Sequence, residues 1–368
     1  MLPKFDNKWN YFDYILAFSF ILIVTKFIWA QRFLPLQDYP DWLYQGYIFS
    51  EILKGNMTSN YHIIYYPVPN SISTLIIGIF NYFLNPEASG KLFLTLSLIN
   101  FIFGSVYLIN SLDKKEFSFL CYIPFIYSLN YFFLQGYLNY FFSIGILFLA
   151  VGYLLRRKER ADLKSIWIIL GFSFIAFWSH AITYSIWVAF LAIFLIFNYS
   201  KSLLKIIFIG LAPSIIMLAL YILYRADTGI DMQFFYHLED GISLIRFLKH
   251  RLFHLYSSFC IFQQFYPFID NVGDQINWMA IINICSGFIM FIVVLYWIKG
   301  LFDNRSRDKY LLIFILIPII GVLFAPRHFA GSGFPAHRFV YPAIWTILCA
   351  LAPNIKNKID FKIAKRTI

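Results

Sequence analysis

The chain has 368 residues, of which 60% are hydrophobic and 13% charged, with a formal net charge of +11. A soluble domain carries about 25% charged residues, so this composition, with a mean hydropathy of +0.67, excludes an ordinary soluble protein. It points to an all-α polytopic membrane protein, and the positive balance is explained by membrane topology without a nucleic-acid partner.

The first apolar run, Tyr11 to Ala30, has the roughly 20 residues that hydrocarbon requires. It lacks a small-residue cleavage site, so it reads as a retained helix and not as a signal peptide. Similar runs predict about ten spans, near 11–30, 91–111, 117–133, 138–155, 165–182, 184–199, 206–224, 277–298, 309–325 and 339–353. With the N-terminus inside, two-thirds of the lysines and arginines fall in cytoplasmic segments, among them Lys114, Lys115, Arg156, Arg157, Lys158 and Arg160. The positive-inside rule then places both termini in the cytoplasm. The 44 Phe and 26 Tyr suit interfacial belts. Cys121, Cys260, Cys285 and Cys349 match no metal spacing and read as apolar fillers.

A long external loop, 31–90, follows the first helix. It opens with Leu34-Pro35-Leu36-Gln37-Asp38-Tyr39-Pro40-Asp41-Trp42, two carboxylates three positions apart at the mouth of a membrane helix. Charge near a bilayer is kept where it is solvated, paired or used. Asp38 and Asp41 are therefore the candidate catalytic residues, since a partly desolvated carboxylate can act as general base toward a hydroxyl or amine. Pro40 restricts Tyr39 to extended backbone, which is how a loop can aim a side chain. Asp41 reads equally as the cap of an interfacial helix covering 41–54. The apolar run Tyr65 to Leu84 is membrane-length, but counting it as a span would put the basic clusters at 114–115 and 156–160 outside. Two prolines and Asn70 at its start point to a helix lying in the outer interface.

The turn between the third and fourth helices, Gln135-Gly136-Tyr137-Leu138-Asn139-Tyr140, offers Gln135 and Asn139, whose amides suit sugar hydroxyls as well as they suit a polar turn. His180, at the outer end of a helical hairpin, is either a ligand or proton-transfer group or a hydrogen-bonded structural histidine. A second external region, 225–276, is mixed in charge. A third carries Arg327, His328, His337 and Arg338 around a glycine-rich stretch. Positive charge outside runs against the topology rule, so it needs a local reason. Arginine gives bidentate hydrogen bonds to phosphate, and Arg338 opens the last helix at the depth of a lipid phosphate. Headgroup anchoring would look the same. The organisation is thus an N-terminal membrane module (1–224), an external region (225–276) and C-terminal helices with a basic tail (277–368). No nucleotide-binding glycine loop, nucleophile elbow or zinc-protease motif is present.

With these residues in view, the layout resembles the GT-C superfamily of membrane glycosyltransferases. The stretches that carry the likeness are LPLQDYPDWLYQGYIF (34–49), YYPVPNSISTLIIGIFNYFL (65–84), FLQGYLNYFFSIGILFLAVGYLLRR (133–157) and FWSHAITYSIWVAF (177–190), all within roughly the first 200 residues. The resemblance implies a bacterial inner-membrane enzyme that uses a polyprenyl-phosphate-linked sugar as donor and a glycan, lipid or protein as acceptor. It implies Asp38 as the first-loop catalytic acid, inversion at the anomeric carbon, and Arg338 as the arginine holding the donor phosphate. Metal-using members carry a second acidic motif after the third helix. Here that loop has Gln135 and Asn139, so the resemblance brings no divalent-metal ligand to it. The bacterial stretches often have Asn-His where this chain has Asp41-Trp42. Two other readings of the layout stay open: an O-antigen-type glycan polymerase and a transporter or flippase of lipid-linked glycans. A transporter should carry charge at mid-bilayer and broken helices in paired halves, whereas the polar residues here gather on one face.

Overall fold

The computed structural model describes residues 11–32, 34–56, 61–112, 119–156, 163–198 and 200–226, together with 285, 288, 320, 321, 328, 329, 332, 333, 338 and 339. Four helices among the described residues are long and apolar enough to cross a membrane: α1 (Tyr11–Ala30), α4 (Pro86–Leu112), α7 (Leu138–Arg156) and α10 (Lys201–Ala226). Two shorter apolar helices, α8 (Leu163–Ser179) and α9 (Ala181–Phe197), complete the bundle. Of the expected spans at 277–298, 309–325 and 339–353 only 285, 288, 320, 321 and 339 are described, and of the region 225–276 only 225 and 226; the rest lies outside the described residues.

The bundle is built around α7, nearly every residue of which is buried. It crosses α4 where glycines meet. A methyl group on Gly104 would strike the Gly145 carbonyl, and one on Gly145 would strike Asn100. Small residues at a crossing let backbones approach, which is how helices associate when the surrounding solvent is as apolar as they are. Asn100 Nδ2 donates to the Phe142 carbonyl at 2.7 Å, and Phe101 stacks on Phe141 with centroids 4.9 Å apart. Polar pairs tie α9 to its neighbours: Thr183 Oγ1 to Ser143 Oγ at 2.7 Å, Trp187 Nε1 to Ser173 Oγ at 2.9 Å, and Tyr184 OH to Ser214 Oγ at 2.9 Å. Helix α1 is peripheral and leaves Phe18, Leu22, Ile23 and Phe27 exposed. Trp29 Nε1 tethers its end to Thr95 Oγ1 of α4 at 3.2 Å.

Between α1 and α4 the chain forms α2 (Tyr39–Leu53) and α3 (Ile72–Phe80). At 1.5 Å per residue, the nine residues of α3 rise about 13 Å, far short of the roughly 30 Å of hydrocarbon. The apolar run 65–84 therefore holds no spanning helix. Helices α2 and α3 pack against each other at Gly46, where an added Cβ would lie 2.6 Å from Ile77 Cγ2. The wedge of α2 and α3 sits at the end of α4 that begins with Pro86.

One expected span is corrected. Within the expected span 117–133, the described residues 119–133 do not form one helix but a 3₁₀ turn (Phe119–Tyr122), α5 (Ile123–Tyr127) and the start of α6 (Tyr131–Leu134). Pro124 starts α5, where its missing N–H costs nothing. Asn130 then closes one piece and opens the next: its Nδ2 donates to the Tyr127 carbonyl at 2.9 Å and its Oδ1 accepts from Phe133 N at 3.1 Å. Such side chain to backbone bonds compete with helix continuation. A small antiparallel ladder pairs β1 (His328–Phe329) with β2 (Ser332–Gly333).

Candidate active site

Helix α2 begins at Tyr39, two residues earlier than the sequence suggests, so Tyr39 is helical and not extended ahead of Pro40. Pro40 occupies its first turn, a position proline favours, and the N-cap is Asp38, not Asp41. The cap role considered for Asp41 is therefore corrected: Asp41 is the third residue of the helix and is exposed. The Asp38 carboxylate makes no cap hydrogen bond. Its backbone N–H donates to the Gln135 carbonyl at 2.9 Å, and its own carbonyl receives the Trp42 N–H at 3.4 Å.

The turn Gln135-Gly136-Tyr137 is clasped against this cap. Gly136 has φ +74°, the left-handed region that glycine adopts without steric cost. An added Cβ would stand 2.7 Å from Tyr39 N and 3.2 Å from Asp38 N. The Gly136 carbonyl accepts the Trp42 indole N–H at 3.1 Å. Asp38 thus hangs from two segments almost a hundred residues apart in sequence, gripped by backbone on one side and a tryptophan on the other. Tyr39 is buried beneath it, and its hydroxyl has no hydrogen-bond partner among the described residues. Burial pushes that hydroxyl above its ordinary range, with Glu87 adding to the effect.

Arg338 comes to the same place. Its guanidinium lies 5.3 Å from the centroid of the Tyr137 ring, within the distance at which a cation is attracted to a ring face. Its backbone carbonyl accepts the hydroxyl of Tyr140. Tyr140 is buried and meets Phe132 edge-on at 4.6 Å and His180 at 5.0 Å. Asp38 is half-buried, and burial is the largest influence holding its carboxyl above the ordinary value; the Asp41 charge adds to this, and the Arg338 charge opposes it. A carboxylate raised by desolvation, with a cation in electrostatic reach, is the arrangement general-base chemistry uses.

The other expected residues divide. His180 caps α9, its Nδ1 accepting the Ile182 N–H at 3.2 Å. That nitrogen is then unprotonated, and the proton of the neutral ring lies on Nε2. Asn139 is buried with its amide engaged at both ends: Oδ1 accepts from Ser73 N at 2.7 Å, and Nδ2 donates to the Asn70 carbonyl at 2.5 Å. It braces the turn, and of the two amides only Gln135 keeps a half-buried, accessible side chain. Arg327 and His337 lie outside the described residues, and of His328 only the strand backbone is described. Among the described residues no three His, Cys, Asp or Glu side chains converge on a metal position.

Four residues of the site carry no signal that the sequence reading used: Trp42 and Gly136, which clasp the cap, and Tyr137 and Tyr140, which receive Arg338. Asn70, which the sequence reading used only to argue against a span, sits at φ +68° and joins three elements, its carbonyl receiving Asn139 and its Oδ1 receiving the Ala181 N–H at 3.3 Å. The Pro67-Val68-Pro69-Asn70 stretch held a usable hint, since asparagine tolerates the left-handed region in turns.

Compared with known proteins, the chain matches no family model, no curated protein and no solved structure.

Proposed function

We propose that the chain is a membrane glycosyltransferase of GT-C type, with about ten spans, both termini in the cytoplasm of a bacterial inner membrane, and α2, α3 and the 135–137 turn on the outer face. The reading is supported by one observation: the Gln135-Gly136-Tyr137 turn holds both side chains, its Gln135 carbonyl accepting the Asp38 backbone N–H at 2.9 Å and its Tyr137 ring lying 5.3 Å from the Arg338 guanidinium.

The chemistry follows from those two side chains. A sugar arrives as its polyprenyl-phosphate ester from the bilayer. Arg338 holds the phosphate through its paired N–H donors. Asp38 takes the proton from an acceptor hydroxyl as that oxygen bonds to the anomeric carbon from the opposite side. The anomeric C–O bond to phosphate breaks, polyprenyl phosphate leaves with the electron pair, and configuration inverts. Arg338 offsets the charge that grows on the leaving phosphate. A base with a raised pKa is better matched to this proton than an ordinary surface aspartate.

Binding of polyprenyl phosphate to purified full-length protein tests the donor half of the proposal. Arg338→Lys should bind it more weakly because a point charge replaces the bidentate fork, and Arg338→Ala weaker still. Equal affinity for all three proteins would remove Arg338 from the site.

A further inference from the structure

We infer that the exposed face of α2, running away from Asp38, is a binding site for a neutral saccharide, and that this saccharide is the acceptor. The inference rests on the transferase reading for the word acceptor, and on the geometry of α2 for the rest.

Asp38, Asp41 and Gln45 follow one another at intervals of three and four, so they line one face of the helix, with Tyr44 beside Asp41. From the cap to Gln45 the rise is about 10 Å, a disaccharide-sized stretch that begins at the proposed base. Asp41, Tyr44 and Gln45 are exposed. They are not loose, however. The Tyr44 hydroxyl pairs with the Tyr61 hydroxyl at 2.8 Å, and Gln45 Oε1 accepts from Thr74 Oγ1 at 3.1 Å. Each pair joins α2 to a different neighbour, so both side chains are held in place before any ligand arrives. A pre-set side chain loses less entropy on binding than a free one. The face therefore presents flat tyrosine rings, hydroxyls, an amide and a carboxylate. Rings stack on the C–H faces of sugars, and the polar groups match their hydroxyls.

The same wedge has a second, different side. Ile79 and Phe83, at the end of α3, are 52% and 84% exposed and wholly apolar. That side suits the acyl boundary of a bilayer. The α2 face suits water and hydroxyls, and its Asp41 disfavours anionic headgroups and phosphorylated ligands. Charge and polarity thus choose a neutral glycan over lipid for this face.

The test uses full-length protein in nanodiscs, with no donor lipid present, against an array of neutral oligosaccharides. The best binder is then titrated into wild type, Tyr44→Ala, Gln45→Ala and Tyr44→Phe. Wild type should bind at least one oligosaccharide. Tyr44→Ala and Gln45→Ala should each weaken it tenfold or more, and Tyr44→Phe, which keeps the ring, should weaken it less than Tyr44→Ala. An array with no wild-type signal, or equal affinity in both alanine variants, overturns the inference, as does binding only to anionic lipid added in place of sugar. Because no donor is present, sugar binding stands or falls apart from transfer. Intact sugar binding with no transfer by wild-type protein supplied with donor would keep this site and sink the transferase reading, whereas unaltered transfer in Asp38→Asn would remove only Asp38 as the base.

Discussion

Replacing Gly136 by alanine probes the clasp that holds Asp38, and Gly55 provides the control. Both glycines have positive φ, +74° and +79°. An alanine in the left-handed region costs about 1–2 kcal/mol, and at Gly55 that is the whole effect, because nothing lies within 4 Å of the added Cβ. At Gly136 the Cβ would stand 2.7 Å from Tyr39 N, so the two segments must part. Parting them strains or breaks the bonds from Asp38 N to Gln135 O and from Trp42 Nε1 to Gly136 O, each worth about 1 kcal/mol. The total for Gly136→Ala is roughly 3–4 kcal/mol, about 2 more than for Gly55→Ala. Equilibrium unfolding of the purified variants in mixed micelles measures the difference directly. Transfer activity should fall in Gly136→Ala and hold in Gly55→Ala, since only the first displaces Asp38. Equal stability of the two variants would refute the clasp.

The remaining expectations concern topology and pH. A cysteine placed at Glu87, in the first turn of α4, should be labelled by an impermeant reagent from the outer side; labelling only from the cytoplasmic side would contradict the placement of 31–90. The acid limb of transfer should lie above the ordinary aspartate value of 3.8, because burial and Asp41 raise the Asp38 carboxyl, and Arg338→Ala should move the limb further up by removing the opposing charge. The sign for stability is the same group seen differently. A folded-state pKa that is raised means stability from this proton is full at pH below the unfolded value and is lost as pH rises through the folded one. The effect on unfolding should be small, because much of the carboxylate is solvated. A limb at or below 3.8 would show that Asp38 is not the titrating base.

The helices long and apolar enough to span, α1, α4, α7 and α10, were legible because length and hydropathy alone decide them. The short α3 was legible by a different route: the basic residues Lys114, Lys115 and Arg156 left no room for another crossing. The 117–133 run misled because hydropathy does not register what Asn130 does to the backbone on either side of it. A cap was one of two readings of Asp41 because a carboxylate suits the free N–H groups at a helix start; in the fold Pro40 sits inside the first turn and the cap is Asp38. The pairing of Asp38 with Gln135 and Gly136 had no local signature at all. It joins segments almost a hundred residues apart through one backbone bond and the close approach of Gly136 to Tyr39 N, and no spacing within either segment encodes that. Asn139 shows the converse. Its residue type fitted sugar recognition, but burial and two hydrogen bonds commit its amide to holding α3 against α7.

The central claim is that Asp38 is the base and Asp41 is not. The direct measurement is transfer of a labelled sugar from polyprenyl phosphate to acceptor by purified wild type, Asp38→Asn and Asp41→Asn. Asp38→Asn should fold and insert normally yet lose about 10²–10⁴-fold in rate, the scale of general-base catalysis, while Asp41→Asn should keep most of its rate. Full activity in Asp38→Asn, or an inactive Asp41→Asn beside an active Asp38→Asn, would contradict the account.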